Sequence, residues 1–414
     1  MAGQLSGSMG AVHRKAIIIL TYVLAALELT CLFMQFSFLP YLSRTLGLDS
    51  VNFGYLQTIF GTLQLLGGPV FGRFADQYGA RAALSLSFVA ASALYLLLAA
   101  SCSPALPGVF LLFASRLPSA FMHTLTAAQM VITDLTVPAE RPAALGRLGL
   151  CFGVGVILGS LLGGTLSTTY GIQCPAIVAF VVTFLGAILS FTCIPVTTKD
   201  ASVQSAHQGG SKAGVFDLKA ITCLLLLPRV LPVFLVKVIS GFPAGLFLVM
   251  FSIISMDFFQ LEAAQAGYLM SFFGILQMVI QGLVIGRLST RFPEEALLQS
   301  SVLVYAVVGL GMALMSNVLH FCLLVPGLVF SLCTLNVVTD SMLTKAVSAA
   351  DTGTMLGLSA SVQPLVRTVG PTLGGLLYRS YGVSIFGHVQ FMVNLLVLLV
   401  LWRKPLSQKK DKVR

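Results

Sequence analysis

The sequence predicts an all-α membrane protein: twelve transmembrane helices in two six-helix bundles, with N- and C-termini cytosolic. Three observations carry that prediction. Hydrophobic residues make up 57% of the 414-residue chain and charged residues 9%, whereas a soluble domain carries roughly a quarter charged residues to cover its surface. Apolar runs recur that can each cross a hydrocarbon core of about 30 Å, where a helix satisfies its own backbone. One apolar phrase is written twice, GYLQTIFGTLQ from Gly54 and GYLMSFFGILQ from Gly267, with seven of eleven positions identical.

Taken in order, the runs lie near 16–42, 52–71, 82–100, 108–134, 146–167 and 175–195, then 231–255, 266–286, 296–315, 320–343, 354–377 and 384–402. The first follows HRK and is too long for a cleavable leader, so it reads as a retained span that serves as its own insertion signal. The polar stretch TTKDASVQSAHQGGSKAGVFDLK between the sets reads as a flexible linker. The expected organisation is a six-helix bundle over 1–195, a cytosolic linker over 196–230, a second bundle over 231–402 and a basic tail over 403–414.

Lys and Arg set the orientation. With a cytosolic N-terminus, Arg44 and Arg379 fall outside, Arg116, Lys237 and Arg367 fall within spans, and the remaining basic residues fall on cytosolic loops and tails. The net charge of +10 therefore reports topology and anionic lipid headgroups, above all at the tail RKPLSQKKDKVR, and not nucleic acid. Trp402, the one Trp, reads as an interfacial anchor. Eight cysteines show no metal-ligand spacing; Cys102 and Cys174 both fall near outer loops, and whether they pair is open.

The repeat extends further. GSLLGGTLSTTYGI from Gly159 matches GPTLGGLLYRSYGV from Gly370, and ITDL at Asp134 rhymes with VTDS at Asp340. Both copies start on the same side, which makes them parallel repeats with a cavity expected between them near the midplane. That is the plan of a rocking carrier.

Ionisable groups inside spans are costly and mark function by default. Glu28 lies about 18 Å into the first span and Arg116 about 12 Å into the fourth from the opposite side, by the rise of a helix, so the two sit at similar depth, and an ion pair between them is open. Arg116, Ser119, His123 and Asp134 share one face of the fourth helix, a polar stripe that fits a water-lined path or, alternatively, helix-to-helix contacts. Gln35, Asn336, Gln363 and Arg367 complete the candidate substrate and proton pathway; Asn336 and Asp340 stand one turn apart, as do Gln363 and Arg367. Lys237, about two turns from the cytosolic end of its span, is open to two readings, a functional charge within the span or a side chain snorkelling to the interface. A buried carboxylate balanced between desolvation and a nearby cation can exchange a proton for a cationic solute.

These residues resemble a known family. GRFADQYGAR, with Gly72, Asp76, Gly79 and Arg81, is similar to the major facilitator signature between the second and third spans. Arg116 stands where that family's fourth-span motif opens, and GVILGSLLGG from Gly155 resembles its fifth-span antiporter motif, with Ser160 for the usual Pro that the second copy keeps at Pro371. Within the superfamily the chain resembles the bacterial tetracycline/proton antiporters: Glu28 precedes Pro40 by twelve residues, as their first-span acid does, though Leu94 stands where they carry a third-span acid. It also looks like the organic cation transporter-like proteins of solute carrier family 22, but with only a short loop, Ser43 to Asn52, and no Asn-X-Ser/Thr sequon.

The resemblance implies roles. Gly72, Asp76, Gly79, Arg81, Asp134, Glu140, Arg141 and Asp340 would form a cytosolic gate, with Asp76 and Arg81 in a latch across helices. Gly155, Gly159, Gly163, Gly164, Gly370, Pro371, Gly374 and Gly375 would form sliding, closely packed helix faces. The cargo it implies is a small organic cation or drug-like base exchanged for protons, with an apical plasma membrane as location and an intracellular membrane as the alternative.

Other classes fit less well. No catalytic His/Asp/Glu or Ser–His–acid set, metal-ligand cluster, cofactor motif or Walker lysine is recognisable. An uncoupled facilitator, a metabolite or lipid carrier, and a non-transporting scaffold remain as alternatives. Protein partners leave no signature.

Overall fold

A computed structural model of the chain describes residues 2–48, 50–196, 218–261 and 263–403. Among them every regular element is helical. In chain order these are α1 (Ala2–Thr45), α2 (Ser50–Tyr78), α3 (Ala80–Ser101), α4 (Gly108–Ala114), α5 (Thr124–Leu135), α6 (Arg141–Tyr170), α7 (Gln173–Cys193) and α8 (Leu218–Leu225). There follow α9 (Leu231–Asp257), α10 (Ala263–Val279), α11 (Ile285–Arg291), α12 (Glu294–Leu314), α13 (Val318–Ala346), α14 (Thr352–Ala360), α15 (Val362–Tyr381) and α16 (Ser384–Arg403). Most of the expected linker, 197–217, and the basic tail from residue 404 lie outside the described residues.

Among the described residues nine helical segments are long and apolar enough to cross a membrane, one of them, Ser271–Arg291, running from α10 into α11. The fourth and eleventh apolar runs are not single helices. In the fourth, α4 ends at Ala114, a 3-10 turn covers Leu117–Phe121, and α5 starts only at Thr124. Pro118 explains the break: it has no N–H for the carbonyl four residues back, and its ring disfavours helical backbone before it. Ser119 Oγ covers part of the loss by donating to the Arg116 carbonyl at 2.5 Å. The stripe expected from one continuous helix is therefore cut between Arg116 and Asp134. In the eleventh run Pro364 acts in the same way, with α14 closing on Ser361, whose N–H is shared between the Gly357 and Leu358 carbonyls at 3.2 Å each. In the eighth, a π-helical turn at Ile280–Val284 joins α10 to α11.

The chain divides into two compact units. The first gathers α1 to α7 with α14 and the start of α15 through Thr368; the second gathers α9 to α13 with α15 from Val369 and α16.

In the first unit, α6 lies on α1 with main chains touching. A methyl group on Gly155, Gly159 or Gly163 would run into Leu29, the Thr30 carbonyl or Met34. With lipid as apolar as the helices, such close packing is what holds spans together. Gly164, expected in the same stripe, faces open space instead. Tyr22 Oη fastens the same pair of helices by donating to the Ala144 carbonyl at 2.8 Å. α3 lies on α7, where the Phe88 ring covers Gly186 and Ser92 Oγ donates to Thr183 Oγ1 at 3.2 Å.

In the second unit, α12 and α16 approach so closely that a side chain on Gly387 would strike the Ala313 main chain. Gln390 Nε2 crosses the same contact to the Tyr305 carbonyl at 3.2 Å. The Phe247 ring lies 5.4 Å from that of Phe321 and 6.1 Å from that of Phe386. On α15, Gly370 and Gly374 back onto Val249 and Met250 of α9, while Gly375 meets nothing; Pro371 lies in the same helix.

Candidate substrate and proton site

Within the first unit, Glu28, Cys31 and Gln35 stand at helical spacing on α1 and all three are buried. Tyr95 of α3 is completely buried and lies within electrostatic reach of Cys31, Glu28 and Arg116. Arg116 sits in the break between α4 and the 3-10 turn, also completely buried. Its Nε and Nη2 donate to Ser115 Oγ at 3.2 and 3.0 Å, and its guanidinium carbon lies 5.6 Å from the centre of the Phe60 ring of α2. The ion pair left open between Glu28 and Arg116 is not formed: matching depth did not bring the two side chains to a common contact, and Arg116 turns to its own neighbour, Ser115. His123, at the start of α5, tilts against Phe71 with ring centres 5.3 Å apart.

Most polar groups in a protein interior find partners. Here five atoms do not: both amide atoms of Gln35, Tyr95 Oη, Arg116 Nη1 and His123 Nε2 are buried without a hydrogen-bond partner among the described residues. Leaving such atoms unmatched costs about 1–3 kcal/mol each, so Gln35, Tyr95, Arg116 and His123 are candidates to receive polar guests, although other unmatched buried atoms occur in both units. Donors, an amide that is both donor and acceptor, and one carboxylate are all present.

The remaining pathway candidates are dispersed. Gln363 and Arg367 belong to the first unit and are exposed; the Arg367 guanidinium carbon lies 6.0 Å from the centre of the Phe36 ring. Asn336 is in the second unit, where its Nδ2 donates to the Leu332 carbonyl at 2.9 Å.

The gate candidates show one strong contact. Asp76, at the end of α2, accepts the Gly353 N–H at 2.8 Å, the Thr354 N–H at 2.6 Å and the Thr354 hydroxyl at 2.7 Å. It thus caps the first turn of α14, where unpaired N–H groups and the helix dipole both favour an anion. α2 and α14 are in main-chain contact beside it: Gly72 faces Gly353, and Gly68 faces Gly357. Gly79 ends α2 with φ 88°, a conformation glycine adopts freely. Arg81 lies over the Phe191 ring at 4.3 Å. Asp134 and Arg141 are half-buried at the facing ends of α5 and α6, and Glu140 is exposed at the start of α6.

Asp340 belongs to the second unit, where Lys237 Nζ contacts its Oδ1 at 2.5 Å with side chains 7% and 11% exposed. Lys237 therefore does not snorkel; it is one half of a buried ion pair. Cys102 and Cys174 are both free thiols. Among the described residues no cluster of three metal-ligating side chains occurs.

Sequence reading passed over Tyr95, Ser115, Gly68, Gly353, Thr354 and Gly357. For the glycines a signal existed: Gly68/Gly72 and Gly353/Gly357 are each spaced by four, the pattern of helices that touch backbone to backbone.

Residues 18–339 match the model of the Major Facilitator Superfamily. The chain belongs to that superfamily. It is accordingly a non-enzymatic solute carrier and an integral multi-pass membrane protein. This facilitator is 88% identical to mouse solute carrier family 22 member 18, over 98% of this chain and all of that one. It is 26% identical to the class D tetracycline resistance protein of Salmonella ordonez, over 86% of this chain and 88% of that protein. Its fold is shared with the crystal structure of the human organic anion transporter MFSD10, at a TM-score of 0.74 and 18% identity, over 94% of this chain and 99% of that one.

Proposed function

We propose that this facilitator is a secondary active transporter that exchanges amphipathic organic cations or drug-like bases for protons, rocking two six-span bundles between two access states with both termini in the cytosol. The observation that carries the proposal is Glu28, a buried carboxylate two turns of α1 from Gln35, both of whose amide atoms are unpartnered among the described residues. A carboxylate so placed is costly while charged and alone. Either a proton or a cationic solute relieves that cost, so one group can trade the first for the second. Gln35, Tyr95, Arg116 and His123 supply the polar lining that holds water or cargo beside it. The likeness to tetracycline resistance proteins and to solute carrier family 22 supports the same reading.

Asp76 of α2, through its bonds to the first turn of α14, would act as the cytosolic latch, released and remade in each cycle. The basic tail would lie on anionic headgroups. An apical plasma membrane is the location that the family 22 resemblance favours.

The test is proton-gradient-driven uptake of a fluorescent organic cation into proteoliposomes. Accumulation by wild type and its loss in Glu28→Gln, with the variant still folded, is the expected result. Equilibration independent of the gradient in both would sink the exchange mechanism and leave an uncoupled facilitator. One observation favours that second reading: Leu94, where the antiporters carry an acid, is a fully buried leucine.

A further inference from the structure

The second unit carries a groove that shares no residue with the substrate and proton pathway proposed above. At one end of this unit the start of α9, the start of α12, and the last turns of α13 and α16 enclose a half-open groove of about 1040 Å³. That is the upper end of the range for small-molecule sites. Its long walls are aliphatic: Leu235 and Ile239 on α9 face Leu396, Val397 and Val400 on α16. Four of these five are 44–61% exposed, namely Leu235, Ile239, Leu396 and Val400, so the groove opens sideways onto the surface that meets lipid. Its depth is set by Trp402, 80% exposed and followed by Arg403 at the end of α16, one residue beyond the lining Leu401. Such a Trp–Arg pair settles at the headgroup level of a bilayer.

The mouth is charged. Arg229, Lys345, Glu294 and Glu295 all line it. Lys345 Nζ holds Glu294 Oε1 at 2.9 Å, and Ser341 Oγ donates to the same oxygen at 2.6 Å. Glu294 is thereby neutralised, whereas Glu295, half-buried beside it, has no side-chain partner among the described residues. Two cations and two carboxylates at headgroup depth, above an aliphatic slot, match a lipid whose head carries one phosphate and one ammonium. The lining decides between ammonium types. A quaternary choline group is held by aromatic faces, and none of the residues lining this groove is aromatic, although the chain has 29 Phe. A primary ammonium needs hydrogen-bond acceptors, which Glu295 supplies.

We propose that this groove is a binding site for phosphatidylethanolamine, with acyl chain between α9 and α16, phosphate on Arg229 and Lys345, and ammonium on Glu295. The binding is independent of the cation exchange proposed above, and its test reads lipid rather than flux.

The full chain, purified in detergent, is equilibrated with mixed micelles of equal phosphatidylethanolamine, phosphatidylcholine and phosphatidylserine, and retained lipid is read by native mass spectrometry. Wild type is expected to keep one phosphatidylethanolamine per chain, preferred at least fivefold over the other two. Val397→Trp fills the slot and should lower retention of all lipid at least fivefold. Glu295→Gln, at the mouth and outside the packed core, should keep lipid but lose the headgroup preference, and it carries the test alone should Val397→Trp fail to fold. Equal retention of the three lipids by wild type, or an unchanged preference in Glu295→Gln, overturns the assignment. So does retention that appears only when the chain is ended at Arg403, which would make the basic tail the occupant. Displacement of the lipid by a lipophilic amine lacking phosphate, at lower concentration than phosphatidylethanolamine itself, overturns it as well.

Discussion

Asp76 at the end of α2 reaches the first turn of α14 and places Oδ2 2.6 Å from the Thr354 nitrogen, with Oδ1 2.8 Å from that of Gly353. A single buried carboxylate so captures two main-chain donors and a hydroxyl. Bonds to a charged acceptor are worth about 1.5–3 kcal/mol each where they are not shared with water. Asp76→Asn keeps the shape but loses the charge and one acceptor. Hydrogen exchange over residues 352–357 is expected to accelerate at least tenfold in this variant. Unchanged protection would mean that backbone packing alone holds α14 in place.

Gly72 and Gly164 make a matched pair of substitutions. A methyl group on Gly72 would collide with the Gly353 main chain, whereas one on Gly164 meets no atom. Gly72→Ala should lower stability by about 1–3 kcal/mol, the usual cost of overpacking. Gly164→Ala should be neutral or stabilising by up to about 1 kcal/mol, from helix propensity alone. Thermal unfolding in detergent separates the two, and equal shifts would contradict the packing described.

The Lys237–Asp340 pair yields a third expectation. Removing one member strands a buried charge, which costs about 3–5 kcal/mol, while replacing both with apolar residues is often neutral. Lys237→Met should therefore destabilise strongly, and the double variant Lys237→Met/Asp340→Leu should recover most of the loss. A double-mutant cycle on unfolding midpoints tests this, and simple additivity would place the two side chains out of contact.

Gln35 tests whether the unpartnered polar atoms serve transport. Its amide makes no hydrogen bond among the described residues, so Gln35→Leu should leave stability unchanged or raise it. Cargo flux in proteoliposomes should fall at least tenfold. A stable variant with wild-type flux would remove Gln35 from the site.

Cys102 lies just beyond the end of α3, where burial pushes its thiol above the usual range for cysteine. A raised thiol pKa means less thiolate at neutral pH, and thiolate is the reactive form. Maleimide labelling of Cys102 at pH 7.5 should be several-fold slower than that of a free cysteine, and the gap should narrow as pH rises. Because Cys102 and Cys174 are both free thiols, labelling should need no prior reduction. Fast labelling at pH 7.5, or labelling only after reductant, would contradict the structure.

Hydrophobic run length foretold where the helices lie, because a span must carry its own hydrogen bonds and so announces itself by length and apolarity. It could not foretell the breaks at Pro118 and Pro364. Both prolines sit inside runs that are long and apolar enough for a span despite Arg116 and Gln363 beside them, and Ser119, whose hydroxyl eases the first interruption, looks like an ordinary small residue. Depth along a helix was legible too, which is why Glu28 and Arg116 were set at one level. Azimuth was not, and so the ion pair left open between them gives way to Ser115. The same limit hid the partner of Lys237: its distance from the span end suggested a route to water, while the acid that holds it lies 103 residues further along the chain.

Two of the donors that α14 offers Asp76 belong to its main chain. Every amino acid except proline offers the same N–H at positions 353 and 354, so these bonds place almost no chemical demand on the side chains of α14. What they demand is slimness, since Gly353 and Gly357 lie against the backbone of α2. Variation along α14 is thus policed by volume, and variation at position 76 by charge.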